Sequence, residues 1–318
     1  DLLVQYTGCM VMVMAEQTYG ACCIDDFQAE ALGCDYIVHY GHSCLIPVTD
    51  MLVKAMYVFV EIDFDEKHLI NCVRSNFDVD SKLALVGTIQ FNTVLHRVKA
   101  QLQSGEDGSK FSRLFVPQSK PLSAGEILGC TAPRLPDDTD AIIYIGDGRF
   151  HLEAIMLANP LIKAFRYDPY SRTMTVEGYD HDTMRRVRGD AIEVAKQAKR
   201  FGLILSTLGR QGNPLILSDI ENKLLALGKH VQVYTMPEIK PTVLEKLNDE
   251  IDVWVQVACP RLSIDWGYAF PKPILSPYEL NIAIGLASPS SPSDHYPMDY
   301  YSRDVRGPWG NYFKFKNK

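Results

Sequence analysis

The chain repeats one local pattern: a short, β-rich apolar run that ends in a loop bearing glycine or proline. Met10–Ala15 leads into Thr18–Cys22, Leu83–Val86 into Gly87–Gln90, and Ala141–Ile145 into Gly146–Arg149. Leu203–Ser206 then leads into Leu208–Gly212, and Val253–Val257 into Ala258–Pro260. These runs lack a clean alternation of polar with apolar residues. Strands covered on both faces read this way, which points to parallel sheets. Between the runs lie stretches with helical spacing. Asp180–Lys199 carries Met184, Val187, Ala191, Ile192 and Ala195 in a polar background, and Asp219–Leu227 and Val243–Asn248 predict shorter helices. Strands alternating with helices predict an α/β fold, whose ligands sit at the carboxyl ends of the strands.

At 318 residues the chain is too long for one small core. Three blocks are predicted: residues 1–102, residues 103–200 opening on the polar loop Gln103–Ser109, and residues 201–318. The stretch Ser288–Pro297 leads into an aromatic tail ending at Phe313, which reads as a peripheral extension or partner contact. The 32 basic and 39 acidic residues give a formal charge of −7, which argues against nucleic acid as the main partner. No apolar run is long enough for a membrane span, and no signal peptide is legible, so a cytoplasmic protein is predicted.

Eight cysteines are present. In a chain of this size they are expected to be reduced, and most to be small buried hydrophobes. Cys22, Cys130 and Cys259 share a context, since each follows a turn-prone element and they lie roughly one α/β domain apart. Three domains would each supply one thiolate to a common centre, and thiolates are the usual ligands of iron–sulfur clusters. Three cysteines holding four irons leave one iron open. Spacing alone leaves the buried-thiol reading in front, because no close-spaced CxxxCxxC run is present. Cys23 points away from its neighbour in an extended chain, and Cys34, Cys44 and Cys72 read as core thiols.

Other candidates stay open. His39, His42 and Cys44 have spacing that suits zinc but lack a fourth ligand, so a hydrogen-bonded loop at a strand end explains them as well. Two glycine loops, Gly146-Asp147-Gly148-Arg149 and Gly209-Arg210-Gln211-Gly212, offer backbone amides for a carboxylate or phosphate, or are simply tight turns. Neither matches a P-loop or a dinucleotide fingerprint. Asp265 either orients a substrate amine or caps a helix.

These segments together resemble the diphthamide-synthase family, in particular the first subunit of the eukaryotic heterodimer. The resemblance is carried by Thr18-Tyr-Gly-Ala-Cys-Cys-Ile-Asp-Asp26, Val38-His-Tyr-Gly-His-Ser-Cys-Leu-Ile-Pro47 and Pro121-Leu-Ser-Ala-Gly-Glu-Ile-Leu-Gly-Cys-Thr131. It continues through Gly146-Asp-Gly-Arg-Phe-His-Leu-Glu153, Tyr167-Asp-Pro-Tyr170 and Asp252-Val-Trp-Val-Gln-Val-Ala-Cys-Pro-Arg-Leu-Ser-Ile-Asp-Trp-Gly267. It implies three related domains, with small parallel sheets flanked by helices, around a pseudo-threefold centre. It implies a [4Fe-4S] cluster on Cys22, Cys130 and Cys259, with the two glycine loops and Asp265 as candidate contacts to S-adenosylmethionine. The implied reaction moves a 3-amino-3-carboxypropyl group from S-adenosylmethionine to C2 of a histidine in translation elongation factor two, leaving methylthioadenosine. The implied partners are a paralogous second subunit and a small metal-binding electron donor. Two departures stand out: Ala15-Glu-Gln17 replaces the family's Gly-Asp-Val, and an earlier strand with a Met-Pro-Glu-Gly loop is absent, so the first domain reads as truncated. A non-catalytic scaffold subunit and a zinc or small-ligand module remain the alternatives.

Overall fold

A computed structural model of the protein describes residues 2–14, 24–41, 43–105, 109–300, 307, 309 and 310. The first segment contains α1 (Leu2–Thr7), α2 (Asp26–Ala31), β1 (Tyr36–Tyr40), β2 (Lys54–Val58) and α3 (Lys67–Asn76). Next come β3 (Leu83–Gly87), α4 (Asn92–Ser104), β4 (Ala141–Ile145), α5 (Phe150–Ala158), β5 (Lys163–Asp168), β6 (Thr173–Glu177) and α6 (His181–Gln197). The remainder holds β7 (Arg200–Ser206), α7 (Pro214–Ala226), β8 (His230–Met236), α8 (Pro241–Glu245), β9 (Val253–Val257), α9 (Pro260–Trp266), β10 (Ile274–Leu275) and α10 (Pro277–Ala283).

Among the described residues three small sheets result: β1-β2, β3-β4-β5-β6 and β10-β9-β7-β8, all parallel except the β5–β6 pair. All five residues are buried in each of β3, β4 and β9, which is why those runs show no polar alternation. One expected run differs. Met10–Met14 forms no strand, and Met10 and Val13 are almost fully exposed, so apolar composition there found no sheet to join. Sheet membership also crosses the division drawn at residue 102. β3 pairs with β4 from Leu83↔Ala141 to Gly87↔Ile145, a partnership between strands far apart in the chain that local pattern does not reveal.

The helix starts follow from their caps. Asp180 accepts from the Thr183 amide at 3.0 Å, opening α6 where the periodicity placed it. Helix α7 starts earlier than the expected Asp219, because Asn213 accepts from the Leu215 and Ile216 amides and Pro214 sits in the first turn. Helix α8 likewise begins at a proline, Pro241.

The largest core cluster takes residues from all three blocks: Leu45 and Ile46, then Leu128 and Leu157, then Leu203 and Val255. The segment expected to be peripheral belongs to it. Tyr296, Met298 and Tyr300 are buried there, and Trp309 meets the Tyr278 ring edge-on at 4.9 Å. A buried ion pair seals this region. Arg188 of α6 forks onto Glu279 of α10, with Nε and Nη2 both at 2.7 Å, and Nη2 also reaches the Ile274 carbonyl. Glu279 further accepts from the Tyr296 hydroxyl and the Ser276 amide, closing a capping box. Removing one partner strands a buried charge. Glu279→Ala is therefore expected to cost about 3–5 kcal/mol of stability. A denaturant midpoint equal to that of the unsubstituted protein would contradict this.

Candidate metal centre

Two of the three candidate cysteines sit in loops that other residues hold rigidly. Cys259 directly follows the buried tail of β9 and caps α9, whose first turn contains Pro260. Gln256 on β9 reaches forward, its Nε2 donating to the Cys259 carbonyl at 3.1 Å and to Ser263 Oγ at 3.0 Å. Cys130 lies in a turn closed by the Leu128 amide donating to the Thr131 carbonyl at 2.9 Å. The same segment is tied to the end of β3, since the Ile127 amide donates to the Gly87 carbonyl at 3.0 Å. Gly129 has no room for a side chain: a Cβ there would lie 2.0 Å from the Phe150 ring.

Arg261 joins these two loops. It lies two residues past Cys259 and is almost completely buried. Its Nη1 donates to the Gly129 carbonyl at 3.0 Å and to the Phe150 carbonyl at 2.8 Å, and Nη2 donates to Glu153 Oε2 at 2.6 Å. Its Nε lies 2.9 Å from both oxygens of Asp265, and the guanidinium covers the Phe150 ring at 4.4 Å. One side chain thus links the residue before Cys130 to the helix that follows Cys259. Burial pushes the Cys130 thiol well above the usual range, and Asp299 and Cys259 push it further, while Thr131 and Arg261 pull it down.

The loop that carries Cys22 lies outside the described residues, but its continuation is anchored. Asp26 is fully buried and takes a two-point contact from Arg210, whose Nε is 2.6 Å from Oδ1. It also accepts from the Leu52 amide at 2.7 Å, while Arg210 donates to the Asp50 carbonyl at 3.2 Å and covers the Phe27 ring at 4.0 Å. Burial alone would raise the Asp26 carboxyl; Arg210 and the Leu52 amide outweigh it and hold the group below its ordinary value. The segment just after Cys22 is thereby fastened to the loop that follows β7.

The other expected residues divide between these two junctions. Gly146 donates its amide to the Tyr167 carbonyl, Asp147 offers its carbonyl to the Tyr144 hydroxyl at 3.4 Å, and Gly148 turns the chain with φ +66°. Arg149 pairs with Glu177 and lies 3.5 Å from Glu153, so this loop adjoins the Arg261 group, to which Asp265 also belongs. The second glycine loop sits at the Asp26 junction. There Gly209 has φ +51°, Gln211 accepts from Ser206 Oγ at 3.3 Å, and a Cβ on Gly212 would collide with the Ser206 carbonyl at 2.1 Å. Arg210 pairs with the buried Asp26, and Asp265 pairs with the buried Arg261. Of the alternative zinc set, His42 lies outside the described residues, His39 meets Tyr57 edge-on at 5.5 Å, and the Cys44 sulfur accepts from the Ile46 amide at 3.3 Å. Among the described residues no three His, Cys, Asp or Glu side chains are grouped to hold a metal ion, and Cys22 is not among those residues.

Sequence reasoning passed over Arg261, Glu153 and Asp26. All three lie inside the strings that carry the family resemblance, yet nothing local marks them. Their roles arise from partners 132, 108 and 184 residues away.

Residues 1–297 match the model of a family described as "Putative diphthamide synthesis protein". A Caenorhabditis elegans protein named 2-(3-amino-3-carboxypropyl)histidine synthase subunit 1 is 52% identical over 98% of this chain and 77% of its own length. The Homo sapiens protein of the same name is 52% identical over 97% of this chain and 69% of its own. The crystal structure of Dph2 from Pyrococcus horikoshii superposes with a TM-score of 0.71 at 25% identity, covering 97% of this chain and 87% of that one. A structure of the same protein with a 4Fe-4S cluster gives the same TM-score over 92% and 83%. From residue 1 to residue 297, this chain belongs to the diphthamide synthesis family.

Proposed function

We propose that this chain is the cluster-carrying subunit of a 2-(3-amino-3-carboxypropyl)histidine synthase, an enzyme of diphthamide biosynthesis. The reading assigns Cys22, Cys130 and Cys259 as ligands of one [4Fe-4S] cluster. The observation that carries it is the Arg261 bridge, which gathers two cysteine loops from different sheets into one buried site. Relatives at 52% identity bear the name of this transferase, and the similar Pyrococcus horikoshii fold has been solved with a 4Fe-4S cluster. The donor set also suits the group: Cys130 is a buried thiol whose ionisation is disfavoured in isolation, and ferric and ferrous ions supply the positive charge that a thiolate there requires.

When bound and reduced, the cluster supplies the electron that cleaves S-adenosylmethionine between sulfur and the aminocarboxypropyl Cγ. The chain's own residues prepare the site. Gln256 and Pro260 fix the course of the Cys259 loop. Phe150 and Gly129 pack without a gap and keep the Cys130 turn in place. The Gly146–Arg149 turn and Asp265 border the Arg261 group, and the reading assigns them to the S-adenosylmethionine side of the site. The Gly209–Gly212 loop borders the proposed Cys22 side. The acceptor is assigned as a histidine C2 in translation elongation factor two, which places the reaction in the cytoplasm; among the described residues no helix is long and apolar enough to cross a membrane. The relatives' designation as subunit 1 supports a second subunit as partner; the reading takes that subunit to be paralogous and adds a small metal-binding protein as electron donor.

Two outcomes follow. Cys22→Ala, Cys130→Ala and Cys259→Ala, each reconstituted anaerobically, are expected to lose most of the bound iron and the visible charge-transfer absorption. Full iron content in any of the three would remove that cysteine from the ligand set, and zinc bound without sulfide would favour the His39, His42 and Cys44 module. Gly129→Ala is expected to cost about 1–3 kcal/mol through overpacking against Phe150. It should lower iron occupancy more than a surface substitution of equal thermal effect, and unchanged occupancy would contradict the rigid-loop account.

A further inference from the structure

The bridge between the cysteine loops contains more charge than a bridge requires. The carbonyls of Gly129 and Phe150 need only hydrogen-bond donors, which a neutral side chain can supply. Arg261 instead brings a full positive charge into a site where its side chain is 2% exposed. Two carboxylates accompany it, Glu153 from α5 at 2.6 Å and Asp265 from α9 at 2.9 Å. Taking such groups out of water costs several kcal/mol per ion, and the mutual attraction repays that only with close geometry. Here both carboxylates meet the buried guanidinium at close range, which compensates its charge. A neutral brace would position the loops without this cost. What it would not supply is a fixed positive charge, two residues past Cys259, held against the carbonyl that precedes Cys130.

Net charge around an iron–sulfur cluster and hydrogen bonds near its ligands are the protein's main means of setting its reduction potential. Other charged groups face the same region: Asp299 acts on Cys130, and Arg149 approaches Glu153 at 3.5 Å while pairing with Glu177. Arg261, Glu153 and Asp265 nonetheless form the compact unit that spans both cysteine loops.

We infer that Arg261, Glu153 and Asp265 form a charge unit that tunes the reduction potential of a cluster held by Cys130 and Cys259, an inference that rests on the cluster reading above. Reduction adds one electron, and so one negative charge, to the site, the electron coming from an external one-electron donor. A nearby cation favours that added charge and a nearby carboxylate opposes it. Arg261 is thus a positioning residue with an electrostatic role, acting through the cluster and not on the substrate.

The test is a mediated redox titration, followed by electron paramagnetic resonance, of the anaerobically reconstituted complex with its partner subunit, using dithionite as reductant. Glu153→Gln and Asp265→Asn are expected to raise the midpoint potential. Each should shift the reduction equilibrium by about tenfold, or about 59 mV for a one-electron couple. Arg261→Gln is expected to lower it, and Arg261→Lys, which keeps the charge, to stay closer to the unsubstituted value. Opposite signs from the acid and base variants are what a purely structural brace would not produce. The inference is overturned if both carboxylate variants keep full iron with an unshifted or lowered potential. It is also overturned if both lose their iron while remaining folded by circular dichroism, since that makes the carboxylates structural supports. Failure of Arg261→Gln to fold leaves the carboxylate variants to decide. Absence of a reducible cluster in the unsubstituted complex would instead overturn the cluster reading itself.

Discussion

Arg261 is the side chain on which the geometry of the site depends. It is buried, it follows Cys259 by two residues, and it donates to the carbonyl that precedes Cys130. The two loops belong to different sheets, and each is held on its own side by local contacts: Gln256 for Cys259, and the Gly87 tether for Cys130. Local contacts alone would let the two halves move relative to each other. A planar guanidinium with five donors can satisfy two carbonyls and two carboxylates in fixed directions at once. Lysine presents a point charge on a flexible stem and has no equivalent geometry.

The same device recurs elsewhere in the molecule. Arg210 reaches from the loop after β7 to the fully buried Asp26, and Arg188 reaches from α6 to the fully buried Glu279. Each pair crosses between segments more than 90 residues apart. The largest apolar cluster joins residues from distant parts of the chain, but apolar contact is non-directional. Buried, two-point ion pairs add direction, and their cost in desolvation is consistent with a need for registry more than for stability. The proposed cluster site, assembled from three separate loops, would have that need.

Much of the fold was legible in the sequence because its cause is local. β4 and β9 span the residues that the apolar runs predicted, since a strand covered on both faces must be apolar throughout. Helix α6 was legible from periodicity, and the structure adds its Asp180 cap. What could not be read was pairing. Leu83–Gly87 joins the sheet of β4, Met10–Met14 joins none, and Tyr296–Tyr300 folds into the core although its Ser/Pro-rich approach reads as a tail. Each outcome is decided by partners distant in sequence. The site shows the same division. Cys130 and Cys259 are candidates because of their loops and the family resemblance, while Arg261, Glu153 and Asp26 acquire their partners only when the chain folds.

The central claim is that three cysteines from three segments converge on one cluster. The most direct measurement is anomalous diffraction at the iron edge from anaerobically grown crystals of the reconstituted protein. The account predicts one compact iron feature in bonding contact with the sulfurs of Cys22, Cys130 and Cys259 together. Iron found apart from Cys130 and Cys259, or a zinc signal at His39, His42 and Cys44 in its place, would contradict it.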